Sequence, residues 1–192
     1  MKLADKFTLS RIVLSPVFFV VYFLPAWTGL APVLSAWVML PLLAFMEFTD
    51  FLDGFFARRM KAVSDFGKLF DPFADVVVHL TTFCCLVISG YMPGLIFMLI
   101  IYREFGMLFI RLMAVQRGVA IGARKGGKFK TVLYVIATFY CLVWESCVRF
   151  GIDLTYASGL HIGSAILFVL CLLAAYGSFL DYLMHFGKLL KK

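Results

Sequence analysis

Charge is scarce in this sequence: Asp, Glu, Lys and Arg make up 15% of its 192 residues, against about 25% in an ordinary soluble domain. That shortage excludes a disordered, highly solvated chain. Acidic groups are the scarcer kind, 11 against 18 Lys and Arg. Low-complexity tracts and internal repeats are also missing, which leaves a single domain over residues 1–192. The cysteines, Cys84, Cys85, Cys141, Cys147 and Cys171, have neither a disulfide-framework spacing nor a metal-ligand spacing. All fall within or at the ends of apolar stretches, so reduced, buried thiols are expected.

Apolar sequence fills the space that charge leaves. The chain is 63% hydrophobic, with a mean hydropathy of +0.97. Apolar stretches long enough to cross a bilayer, or nearly so, occur six times. They predict an all-α integral membrane protein of six transmembrane helices. The net charge of +7 could suggest nucleic acid, but its distribution does not. Lys and Arg gather before the first span, in the second and fourth connections and at the C-terminus, and the first and third connections have none. This is the positive-inside pattern: it puts both termini and the second connection on the cytoplasmic side, with no nucleic-acid partner. A basic start before an apolar run also fits a signal peptide, but the run's length and its flanking polar residues argue for a retained first span.

The scarce acids are concentrated. Asp50, Asp53, Gly54, Ala57 and Arg58 are followed, after eight residues, by Gly67, Asp71 and Asp75. On a helix Asp50, Asp53, Gly54 and Ala57 share one face, and Asp71 and Asp75 share another. Four carboxylates gathered at a membrane border repel one another, and a divalent cation relieves that conflict. The donors are all oxygen, which favours Mg²⁺ or Mn²⁺ over Zn²⁺. Gly54 and Ala57 leave room for a ligand near the backbone, and Arg58 offers a fork suited to phosphate.

The pattern D-x2-D-G-x2-A-R-x8-G-x3-D-x3-D is matched at all eight specified positions. It resembles the signature of the CDP-alcohol phosphotransferases (CDP-alcohol phosphatidyltransferases), membrane enzymes of phospholipid synthesis. The resemblance implies two divalent ions held by Asp50, Asp53, Asp71 and Asp75, with Asp75 also the general base. It implies a nucleotide surface of Gly54, Ala57, Arg58, Gly67 and Thr8, a homodimer, and a bacterial inner-membrane location with the site facing the cytoplasm. Two flanking segments resemble the phosphatidylglycerophosphate synthases within that family. One is Asp5-x-x-Thr8-x-x-Arg11, with Asp where those enzymes have Asn; the other is Gly127-Lys128-x-Lys130-Thr131. CDP-diacylglycerol would then donate to glycerol 3-phosphate, whose phosphate Arg11, Arg111, Lys128 and Lys130 would bind. Other acceptors (inositol phosphate, serine, choline, phosphatidylglycerol), an intramembrane prenyltransferase and a divalent-cation transporter are the alternatives.

Some expectations concern the surroundings. Glu47 should stand behind Asp50, and His79 should be a packed core residue. Pro72 should lie early in the third helix. Gly122 to Thr131 should form a phosphate-binding inner loop, and Arg103 and Glu104 should face protein rather than lipid. Glu145 and Arg149 should make a surface pair of little energetic value.

Overall fold

The computed structural model describes residues 3–60, 65–118, 125–152 and 157–190, with side chains over 6–50, 52, 70–118, 126–152 and 159–186. Six helices account for nearly all of it: α1 (Leu3–Thr28), α2 (Pro32–Met60), α3 (Asp65–Ile88), α4 (Gly94–Gln116), α5 (Lys125–Arg149) and α6 (Ala157–Leu190). No strand occurs among the described residues. In a bilayer each backbone N–H and C=O must find a partner within its own segment, and helices provide that.

Five helices are long and apolar enough to cross a membrane: Lys6–Thr28, Pro32–Asp50, Phe70–Ile88, Gly126–Arg149 and Gly159–Phe186. The sixth, α4, has 23 residues and so spans about 34 Å at 1.5 Å per residue, but it carries Arg103, Glu104 and Arg111. Only 28–44% of each spanning segment is buried inside the protein. The outer faces are apolar as well: Val13, Val17, Val20 and Leu24 on α1, and Leu95, Met98, Tyr102, Phe105, Phe109 and Leu112 on α4 are exposed. A soluble protein would hide such stripes; here they meet lipid.

The core is one cluster that includes Phe18, Tyr22, Met39, Leu43, Phe83, Leu86, Ile100, Tyr134 and Phe168. α1 packs against α2 and α3, α5 against α6 and α2, and α4 against α6 and α3. The turns between helices have local causes. α1 ends at Gly29, whose φ of 70° suits the left-handed C-terminal cap, and α2 begins with Pro32, where a missing N–H costs nothing. Gly90, with φ of 81°, turns α3 back toward α4.

Two expectations fail here for physical reasons. α3 begins at Asp65, so Pro72 sits inside the helix rather than in its first turn. The glycine-rich segment is not a loop from Lys125 onward but the start of α5. A Cβ on Gly126 would come within 3.3 Å of the Ser178 Cβ, so this glycine lets α5 approach α6. Residues 122–124 lie outside the described residues.

The end of the bundle near Arg149 is also tighter than expected. Arg149 donates to Glu145 Oε1 at 2.8 Å, to the Tyr22 carbonyl at 2.9 Å and to the Ser35 hydroxyl. Its guanidinium also lies over the Tyr22 ring. Tyr91 donates to the other Glu145 oxygen at 2.5 Å. Burial first, then this carboxylate, push the Tyr91 hydroxyl well above the ordinary tyrosine range, so it stays a donor. The Arg149 and Glu145 side chains are 9% and 16% exposed, which makes the pair a partly buried tie between α1, α2 and α5 rather than a surface contact.

Candidate active site

The aspartates converge where α1, α2 and α3 meet. Asp50 closes the spanning part of α2, and Asp75 lies one turn after Asp71 in α3. Both Asp50 and Asp75 accept a hydrogen bond from the same nitrogen, Arg11 Nη1, each at 2.6 Å. Thr8, one turn earlier on α1, donates to Asp71 at 2.7 Å. Thr8 and Arg11 are fully buried, at 0% and 2% exposure, while the Asp50 and Asp75 side chains are 40% and 39% exposed. The carboxylates therefore face an open mouth, and α1 closes the site from behind.

A small cavity of about 10 Å³, lined by Arg11, Met46, Glu47, Asp50, Asp75, Val78 and His79, has room for roughly one water. Glu47 lies behind Asp50 on α2, and its Oε1 is 4.0 Å from His79 Nδ1. His79 is buried and packs edge-on to Tyr134 at 5.4 Å. His79 is the packed core residue expected, and Glu47 lines the same cavity as Asp50 and Asp75. Asp53, Gly54, Ala57 and Arg58 continue α2, and Gly67 lies in the first turn of α3; their side chains are outside those described.

Beyond Tyr134 lies a second group of charges. Glu104 accepts from Arg103 at 2.8 Å through Oε2, and from Lys130 at 2.8 Å and Tyr134 at 3.0 Å through Oε1. Arg103 also donates to the Ala175 carbonyl and the Ser178 hydroxyl of α6. These charges face protein, as expected for polar groups at that depth. The bonds Glu104 accepts come from Arg103 on its own helix and from Lys130 and Tyr134 on α5. Arg111 Nε is buried and has no hydrogen-bond partner among the described residues. Lys128 is exposed at the start of α5, whereas Lys130 is only 8% exposed. The bond between Lys130 and Glu104 spans 26 positions and has no local sequence signal.

A family model for CDP-alcohol phosphatidyltransferase matches residues 1–180. The chain belongs to the CDP-alcohol phosphatidyltransferase family. Among relatives, it is 36% identical over 202 aligned positions to a CDP-diacylglycerol–glycerol-3-phosphate 3-phosphatidyltransferase of Treponema pallidum, covering 100% of this chain and 92% of that protein. It is 33% identical to the enzyme of that name in Bacillus subtilis, covering 70% and 73%. A probable phosphatidylglycerophosphate synthase of Mycobacterium tuberculosis is 35% identical, with 70% and 63% covered.

The donors of this phosphatidyltransferase suit a hard divalent cation: they are carboxylate oxygens, and two of them already hold one cationic nitrogen between them. Among the described residues no group of three or more His, Cys, Asp or Glu side chains forms a metal cage. Asp53 follows Asp50 by one turn on the same face of α2, where it would add a further carboxylate.

Proposed function

We propose that this phosphatidyltransferase moves the phosphatidyl group of CDP-diacylglycerol to glycerol 3-phosphate, giving phosphatidylglycerophosphate and CMP. The observation that carries the reading is the pair of carboxylates, Asp50 and Asp75, on one cationic nitrogen at 2.6 Å each. Such a pair, at the edge of the spans, suits a charged pyrophosphate whose lipid tails stay in the bilayer. The names of the relatives support the choice of donor and acceptor.

In this reading Asp50, Asp53, Asp71 and Asp75 would hold two divalent ions, Mg²⁺ or Mn²⁺. When bound, the ions supply charge neutralisation on the pyrophosphate. Asp75 takes the proton of the acceptor hydroxyl as its oxygen bonds to the lipid-linked phosphorus. The bond from that phosphorus to the bridging oxygen breaks, and CMP leaves with the electron pair. Gly54, Ala57, Arg58, Gly67 and Thr8 form the nucleotide surface, and Thr8 also steadies Asp71 through its hydroxyl.

We assign the acceptor phosphate to Arg111 and Lys128: the Arg111 Nε is buried without a hydrogen-bond partner among the described residues, and Lys128 is exposed. Arg11 and Lys130 are held by carboxylates, so they act on the acceptor through their charge from within the wall. The site faces the cytoplasm, and the enzyme works as a homodimer in the bacterial inner membrane.

Purified enzyme with labelled CDP-diacylglycerol, Mg²⁺ or Mn²⁺, and each candidate alcohol in turn tests this directly. CMP release and a phosphatidylglycerophosphate product only with glycerol 3-phosphate is the expected result. Turnover with a different alcohol would retain the aspartate site and overturn the acceptor.

A further inference from the structure

The Arg103–Glu104–Lys130–Tyr134 cluster makes and breaks no bond in the transfer step, yet it borders the residues that do. Arg103, Glu104 and Tyr134 are at most 4% exposed and Lys130 is 8% exposed. Arg103 and Lys130 share the Glu104 carboxylate, and Asp75 also lies within electrostatic reach of Lys130. Charged groups at this depth are expensive to keep and point to a functional role. The cluster borders the reaction site: the Tyr134 ring meets His79, which lines the cavity shared by Asp50 and Asp75.

Helix packing adds a second argument. α4 packs mainly on α6 and α3, and α5 on α6 and α2. Glu104 spans from α4 to α5 by accepting from Lys130 and Tyr134. Arg111 stands two turns beyond Glu104 on α4, and Lys128 lies two residues before Lys130 on α5. The spacing of the two groups best placed for a phosphate is therefore set through one carboxylate.

We propose that Glu104 is a positioning residue for the phosphate of the acceptor alcohol: it ties the start of α5 to α4, so that Arg111 and Lys128 stand at a fixed separation. The proposal rests on the reading of the acceptor as a phosphorylated alcohol.

The test compares wild type, Glu104→Gln, Tyr134→Phe and the double variant Glu104→Gln/Lys130→Met, with KM for glycerol 3-phosphate, KM for CDP-diacylglycerol and thermal midpoint measured for each. Glu104→Gln should raise the acceptor KM about tenfold, the worth of one hydrogen bond to a charged group, and leave the donor KM within about twofold. The double variant removes the stranded cation, so it should recover the thermal midpoint but not the acceptor KM. Tyr134→Phe keeps the ring and loses only the bond to Glu104; a smaller rise of about threefold in the acceptor KM alone is expected, which tests the proposal even if Glu104→Gln does not fold. An unchanged acceptor KM, donor and acceptor KM rising together, or a double variant that regains both stability and acceptor KM would overturn it. Wild-type enzyme inactive with glycerol 3-phosphate would instead defeat the acceptor reading, before any variant is compared.

Discussion

Replacing Arg11 with Met should weaken the fold when divalent metal is absent and make the protein depend on metal for what it loses. Arg11 is 2% exposed and gives two short hydrogen bonds to Asp50 and Asp75. A hydrogen bond to a charged group contributes about 1.5–3 kcal/mol. Both carboxylates are about two-fifths exposed, so water takes over part of that role, and about 1–2 kcal/mol per bond is a fair expectation. The two together lower the midpoint by roughly 5–15 °C for a chain of this length. The carboxylates left behind repel each other and no longer have a competing guanidinium, so they should take a divalent ion more readily. Ligand at about a hundred times its Kd adds about 2.7 kcal/mol, enough to restore most of the loss. Thermal unfolding in detergent, with chelator and with Mg²⁺, measures both effects. A midpoint within about 2 °C of wild type in chelator, or an equal Mg²⁺-induced rise in both proteins, would refute the idea that Arg11 and a metal share these carboxylates.

Asp75→Asn should abolish turnover and retain binding of CDP-diacylglycerol, measured by equilibrium binding of the labelled lipid; substantial residual activity would remove Asp75 from the role of base. At the far end of the bundle, Arg149→Leu should cost about 2–3 kcal/mol, less than for a fully buried ion pair because both side chains keep some contact with water. Its effect belongs in the thermal midpoint and not in kcat per folded molecule, because Tyr22, which Arg149 contacts, is about 16 Å along α1 from Arg11 at 1.5 Å per residue. A fall in kcat without loss of stability would show that this end of the bundle is coupled to the chemistry.

The parts of this enzyme legible in its sequence are those whose signal is local. Helical stretches show as apolar runs because lipid demands them, and the aspartates show as a pattern because helix geometry fixes their spacing. What joins Arg11 to Asp75 is 64 positions of chain, and no window of sequence contains that bond. Arg149 departs from a surface role for the same reason: its i,i+4 partner is visible in the sequence, but its bonds to Tyr22 and Ser35 are not. The basic run at the start of α5 is a different case, since its resolution was available in advance. Read as a loop, Lys128 and Lys130 form one phosphate-binding pair. Read as a helix, they are two residues apart and cannot face the same way. Gly126 and Gly127 suggest a loop on intrinsic grounds, but a glycine close to another helix is equally a packing device, and in lipid, small residues let helices approach. Once α5 is helical from Lys125, one lysine must turn outward and the other inward. An inward ammonium among membrane spans requires a carboxylate, and Glu104 is the acid on the neighbouring helix that reaches it.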